Sequence, residues 1–241
     1  MTAMGEATSI LPLTLEGVTF EVDGRVLLSV ETAAIRKGRR TVVLGPNGAG
    51  KTLFLKLCHG LIRPSAGRVA FAGDAPHRRH AMVFQKPVML RRSVEANLTH
   101  ALGLSGLGFF ERRRRAAEVL AAFGLADLAR RPARVLSGGE QQRLAIARAA
   151  SVDPELLFLD EPASALDPSA TRQIEELLVD LHAGGLTWVM TTHDLAQARR
   201  LADDVLFFHG GRLREAAPAE TFFTAPGTEE ARAFLESRLF W

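Results

Sequence analysis

The stretch "GPNGAGKT", Gly45 to Thr52, has residue types and a spacing that specify a chemistry. It fits G-x-x-x-x-G-K-[S/T]. Gly45, Gly48 and Gly50 free the backbone to curl, so that successive N–H groups converge on anionic oxygens, and Pro46, Asn47 and Ala49 complete the loop. In such a loop the Lys51 ammonium reaches the β- and γ-phosphates of a nucleotide and the Thr52 hydroxyl coordinates Mg²⁺.

A second stretch supplies carboxylates. "LLFLDEP", Leu156 to Pro162, is an apolar run ending in Asp160 and Glu161. At a strand end Asp160 suits the Mg²⁺ shell, and Glu161 suits a general base for an attacking water. The third stretch, "LSGGEQQRLAIARA", sets Ser137 before a run of good helix formers, which places it at or near an N-cap with Gly138 and Gly139 in the bend. A helix mouth of this kind offers unpaired N–H groups and partial positive charge to an anion. Gln85, after "AMVF", and His193, after "TWVMTT", close two apolar runs. Ligands of α/β sheets gather at the carboxyl ends of strands. There His193 could bond a γ-phosphate or orient water, and Gln85 could sense Mg²⁺ or the attacking water.

The elements that must position these residues follow from the hydrophobic pattern. Residues 13–35 alternate apolar and polar around a turn at Asp23-Gly24, as in a hairpin. Residues 41–44 form a short buried strand leading into the glycine loop and a helix from about Thr52 to Leu61. Strands are expected near the end of "RPSAGRVAF" and at 81–85, 156–160 and 187–193, with a last one at "DVLFFHG" and helices near 168–183 and 195–202. Strands alternating with helices imply an α/β fold with a parallel sheet covered on both faces. From about Lys86 to Arg134 Arg-, Ala- and Leu-rich helical stretches replace strands, as in an inserted helical lobe.

The 241 residues carry a net charge of +3, too small to argue for nucleic acid. The lone Cys58 cannot form an intrachain disulfide, which fits a reducing compartment, and sits on an expected buried helix face. Neither a signal peptide nor an apolar run of membrane-spanning length is visible. A membrane process would then be served from the cytosol with a partner. The run Arg112–Arg115 reads as a solvated helix face, with contact to anionic lipid or a partner as the alternative.

Taken in order, "GPNGAGKT", Gln85, "LSGGEQQR", "LLFLDEP", "SALD" (164–167) and His193 resemble the nucleotide-binding subunit of an ABC transporter along essentially the whole chain. The resemblance implies a RecA-like phosphate-loop core with a small antiparallel β-lobe, about 1–86 and 136–241, and a helical lobe, about 87–135. It also implies ATP and Mg²⁺, the ion held by Thr52, Gln85 and Asp160. Two copies would pair head to tail, Ser137, Gly138 and Gly139 of one facing the γ-phosphate held by the other, and Asp167 linking the sites. The family often stacks adenine on a Tyr; the aligned residue here is Val22, with Phe20 nearby, which implies loose purine recognition. Leu53 stands where the family commonly has a hydroxyl.

Importer, exporter and non-transport ATPase are competing readings. A separate short cassette ending "EAAPAETFFTAPGTEEARAFL" resembles bacterial importers, and "VFQKPVMLRRSVEANL" is similar to tungstate importer ATPases and, less closely, to those for molybdate and phosphate. The implied partners are a second copy, membrane permease subunits and, indirectly, a substrate-binding protein, with no nucleic acid. The implied location is the cytoplasmic face of the cell membrane.

Overall fold

The computed structural model describes residues 9–73 and 79–236. They fall into two compact units, one of residues up to 80 and from 191 onward, the other of residues 81–190.

In the first unit β1 (Leu13–Val22) and β2 (Arg25–Ile35) form the hairpin the alternation implies, turning at Asp23-Gly24. Alternation buries Leu13 with Leu15 and Leu28 with Val30, and a three-residue step in each strand brings Val18, and Ala33 with Ile35, to buried positions as well. The strand β4 (Ala66–Phe71) adds antiparallel to β1. The strand β3 (Arg40–Leu44) pairs in parallel with β8 (Asp204–His209), Val42 opposite Val205. Between these two groups lies β9 (Arg212–Pro218), antiparallel to β8 and bridged in parallel to β2 at Ser29–Arg212, giving the order β4-β1-β2-β9-β8-β3.

The entry to β3 is pinned by charge. Arg40 donates to Asp203 from its backbone N–H (2.8 Å) and from Nη2 (2.7 Å), and Arg39 grips Asp204 through Nε and Nη2 (3.0 and 2.8 Å). Burial alone would push the Asp203 carboxyl up, but the hydrogen bonds from Arg40 outweigh it and hold the group below the ordinary carboxylate range. These bonds fix the strand whose far end opens into "GPNGAGKT".

After that loop, α1 (Lys51–His59) buries Phe54, Leu55, Leu57 and Cys58 and ends at Gly60, whose φ of 83° favours glycine. Phe54 packs on Phe208 with centroids 5.1 Å apart. Burial pushes the Cys58 thiol well above its usual range, so it is inert. The helices α6 (Leu195–Leu201), α7 (Ala219–Thr224) and α8 (Glu229–Leu235) complete this unit, Phe222 and Phe234 of the last two packing against Phe207 with tilted rings.

The second unit holds β5, which begins at the boundary (His80–Val83), β6 (Leu156–Asp160) and most of β7 (Thr187–Thr192), in the order β7-β6-β5. All of β6 and β7 is buried, as continuous apolar runs require. Its helices are α2 (Val94–Gly103), α3 (Phe109–Ala122), α4 (Gly138–Ala150) and α5 (Pro168–Ala183). Ser93 caps α2, and Asn97, buried inside it, ties Leu90, Arg92 and Ser93 through its side-chain amide. Among the described residues no helix is long and apolar enough to cross a membrane.

The strands and helices expected from the sequence are present, with shifted ends. The strand expected at 81–85 stops at Val83 and that at 187–193 stops at Thr192, so Gln85 and His193 lie in the loops just beyond. Gly138 and Gly139 are not a bend before α4: they are its first turn. The strand β9 was not anticipated, although Gly210 and Gly211, both at positive φ, mark the tight turn that makes it a hairpin with β8.

Candidate functional site

The phosphate loop belongs to the first unit. Gly45, Gly48 and Gly50 have φ of 151°, 78° and 97°, the left-handed region that a side chain resists. At Gly45 a Cβ would also run into the Phe208 carbonyl, and at Gly50 it would lie 2.7 Å from Leu28 Cδ1. Both the turn and its neighbours therefore demand glycine. Lys51 is buried, and its ammonium donates to the Gly45 and Pro46 carbonyls at 2.8 and 3.0 Å. The cation thus sits inside the curl, where an incoming phosphate would meet it together with the loop N–H groups. Thr52 and Leu53, half-buried, follow at the start of α1. Of the expected adenine neighbours, Val22 is 44% exposed and Phe20 half-buried. His193, also in the first unit, is exposed in the bend between β7 and α6, followed by Asp194, which caps α6 by accepting from the Ala196 and Gln197 N–H groups.

The second unit gathers the remaining residues. Asp160 is buried at the end of β6. Glu161 follows with φ of 43°, a conformation rare outside glycine and costing about 1–3 kcal/mol when a neighbourhood enforces it. The geometry turns the chain sharply at the strand end and carries Glu161 out of the β6 line. Gln85 Nε2 donates to Glu161 Oε2 at 3.4 Å and to Ser164 Oγ at 3.1 Å, and Ser164 Oγ donates back to the Glu161 carbonyl at 3.2 Å. The structure thus brings Gln85 and Glu161 together and adds Ser164, which the sequence reading quoted in "SALD" without assigning it a part. Asp167 ends the same turn and caps α5, accepting from the Ser169 and Ala170 N–H groups at 2.9 and 3.0 Å.

At the head of α4, Ser137 and Glu140 form a capping box. Ser137 Oγ accepts the Glu140 N–H at 3.3 Å, and Glu140 Oε2 accepts the Ser137 N–H at 2.7 Å. That bond from the Ser137 backbone, more than any other cause, holds the Glu140 carboxyl below its usual range. Ser137 and Gly138 are exposed and Gly139 half-buried. Gly138 and Gly139, in the first turn, have no carbonyl one turn earlier to accept their N–H groups.

The donors assigned to Mg²⁺ suit a hard cation: the Thr52 hydroxyl, the Asp160 carboxylate and the Gln85 amide oxygen are all oxygen ligands. Among the described residues no three His, Cys, Asp or Glu cluster as a metal-binding group. An ion held by one carboxylate together with substrate phosphates needs no such cluster.

The chain is similar to known proteins. A family model described as ABC transporter matches residues 29–164, from within β2 through the phosphate loop and capping box to the turn after β6. A phosphate import ATP-binding protein of Natronomonas pharaonis is 36% identical over 98% of this chain and 90% of its own length. A tungstate uptake system ATP-binding protein of Peptoclostridium acidaminophilum is 36% identical over 86% of this chain and 98% of its own. The solved structure of CbiO1 from Clostridium perfringens, part of the ABC transporter complex CbiONQ, superposes with a TM-score of 0.81 and 28% identity, covering 96% of each chain. The chain therefore belongs to the ABC transporter family and is one of its ATP-binding ATPases.

Proposed function

We propose that this ATPase energises the import of a solute, an oxyanion such as tungstate, through separate membrane permease subunits fed by a substrate-binding protein. It works at the cytoplasmic face of the membrane as a head-to-tail pair with a second copy. In this reading the chain is a single ABC ATPase domain, with core and β-lobe about 1–86 and 136–241 and helical lobe about 87–135. Gly45 to Thr52 hold the phosphates of ATP. Thr52, Gln85 and Asp160 hold Mg²⁺, which neutralises phosphate charge when bound. Glu161 takes the proton of the attacking water, and His193 orients the γ-phosphate or that water. Ser137, Gly138, Gly139 and Asp167 act on the partner's nucleotide. The relatives named for phosphate import and tungstate uptake support the oxyanion class, since phosphate and tungstate are both tetrahedral oxyanions.

One observation carries the pairing: Ser137 and Gly138 at the mouth of α4 are exposed, and a capping box of Ser137 and Glu140 forms the start of the helix. Such a mouth suits an anion brought by another molecule.

The test mixes two inactive variants. Ser137→Arg fills the mouth, at a cost of about 1 kcal/mol for the lost cap. Lys51→Ala empties the phosphate loop of its cation. In a head-to-tail pair of one of each, one site carries both lesions and the other carries neither. The ATPase rate of the assembled complex is expected to rise on mixing and to peak near equal amounts. ATP binding to isolated Ser137→Arg chain is expected to match wild type; a loss there, or a flat mixing curve, overturns the pairing. The substrate class is tested separately by offering tungstate, molybdate and phosphate to the partner binding protein; binding of none of them sinks the oxyanion assignment.

A further inference from the structure

Ser164 has no part in the proposed function, yet it touches two residues that do. The turn after β6 brings it to them. Glu161, at φ of 43°, bends the chain at the strand end, and its carbonyl accepts the Ser164 N–H at 3.3 Å. The same carbonyl accepts the Ser164 hydroxyl at 3.2 Å. The hydroxyl proton is therefore committed to the backbone, and the oxygen is left with lone pairs to offer. Gln85 Nε2 donates to that oxygen at 3.1 Å. Glu161 Oε2 is the other acceptor for the same nitrogen, at 3.4 Å.

These two acceptors decide which way a carboxamide faces. Gln85 is exposed. An exposed glutamine can turn its amide over, because the two ends have nearly the same shape. The ends differ in chemistry: the oxygen can ligate a hard cation, and the NH₂ group, which only donates, cannot. A carboxylate accepts and does not donate, and the same now holds for a hydroxyl whose proton is already given away. Both neighbours of Gln85 therefore take its NH₂ end. The amide is planar, so its oxygen is turned away from Glu161 and Ser164.

We propose that Ser164 is a positioning residue, which holds Gln85 with its amide oxygen, and not its nitrogen, presented to Mg²⁺. The inference rests on the reading of Gln85 as a ligand of that ion, and adds the group that selects the ligating atom. Of the two bonds to Nε2 the one from Ser164 is the shorter, and at 3.4 Å the one from Glu161 is near the limit of a hydrogen bond. Glu161 is also assigned to the attacking water, and a carboxylate engaged there is a poorer acceptor for Gln85. Ser164 has no such second task and keeps the amide in place while the base is occupied. Its own place is set by the turn, through the two bonds to the Glu161 carbonyl.

The experiment measures the ATP affinity of the full chain in Mg²⁺ and again in EDTA, which separates contacts to the ion from contacts to the phosphates. Ser164→Ala is expected to bind ATP about threefold more weakly in Mg²⁺, the size of effect that one such hydrogen bond carries, and as wild type in EDTA. Ser164→Thr, which keeps the hydroxyl, is expected to restore the affinity. Gln85→Ala is expected to lose at least as much in Mg²⁺, and adding Ser164→Ala to it to lose nothing more. A second readout uses the chain without nucleotide. The Gln85 side-chain amide, identified in the proton–nitrogen spectrum by its absence from Gln85→Ala, is expected to shift more in Ser164→Ala than in Ser164→Thr. Equal weakening in Mg²⁺ and in EDTA would make Ser164 a support of the turn alone and overturns the proposal. So does an unchanged affinity of Ser164→Ala where Gln85→Ala binds more weakly, or a further loss in the double variant. Wild-type affinity of Gln85→Ala in Mg²⁺ overturns instead the reading of Gln85 as a ligand, and the proposal falls with it even where the amide signal has shifted.

Discussion

Two glycine-rich segments of this molecule each open a helix, and they use glycine for different reasons. In the phosphate loop Gly45, Gly48 and Gly50 all have positive φ, so the residue type follows from the backbone path. At the head of α4 neither Gly138 nor Gly139 has positive φ; both are ordinary helical residues. Gly139 is explained by packing, since a Cβ there would lie 2.9 Å from the Ala170 Cβ of α5. Gly138 is explained by neither, because its nearest neighbour would be Leu166 Cδ2 at 3.4 Å, an ordinary contact. One segment is a curl that glycine makes possible. The other is a helix start where packing explains Gly139 and not Gly138; in the proposed pairing Gly138 leaves room for the partner's phosphate.

The largest effect that would break this contrast is at Gly45. Alanine there combines a strained φ with a collision against the Phe208 backbone, and a destabilisation of roughly 2–5 kcal/mol is expected. Gly48→Ala carries the strain alone, with nothing within 4 Å, and should cost about 1–2 kcal/mol. Urea unfolding of the isolated variants measures both. Equal midpoints for Gly45→Ala and wild type would mean that the loop is free to take another path.

A smaller effect sharpens the other half. Gly139→Ala gains helix propensity but presses α4 against α5, and a net loss of about 1 kcal/mol is expected. Gly138→Ala should change stability by less than about 0.5 kcal/mol in either direction. The ATPase of the assembled complex should nevertheless fall in Gly138→Ala, because a methyl group now stands in the mouth. A variant as stable and as active as wild type would show that Gly138 has no ligand to admit.

The same contrast governs what could be read from the sequence. "GPNGAGKT" announced its conformation because three glycines at fixed offsets between a strand and a helix have few other uses. "LLFLD" and "TWVMTT" were legible as strands because burial on both faces leaves the apolar runs Leu156–Leu159 and Trp188–Met190. The capping box was half legible: Ser137 announced an N-cap, but whether the glycines lay before or inside the helix depended on φ, which propensity does not set. The strand β9 was missed because its residues alternate between exposed and half-buried with two arginines and a glutamate among them, a weak apolar signal. Ser164 was missed because its importance is a distance to Gln85, which is 79 residues earlier.

The smallest effect concerns the residue that closes the α4 mouth. Glu140 accepts the Ser137 N–H, and this bond keeps its carboxyl ionised to lower pH than in the unfolded chain. The folded state therefore binds its proton less readily than the unfolded state. The resulting stability is fully present above the unfolded value, about 4.3, and disappears as pH falls through the lower folded one. The group is half-buried at the surface, so solvent screening reduces the contribution to about a few tenths of a kcal/mol. Glu140→Gln keeps a capping acceptor without the charge. At neutral pH the variant should be less stable by about that amount, and the difference should vanish as acid protonates the wild type. Urea midpoints at neutral and acid pH measure it; a gap that widens in acid would mean that Glu140 does not stabilise the helix through its charge. Function should move in the opposite direction. A carboxylate at the mouth of α4 opposes an incoming phosphate, so Glu140→Gln should strengthen ATP-driven pairing while it weakens the isolated fold. A variant that lowers both would show that the mouth does not receive an anion.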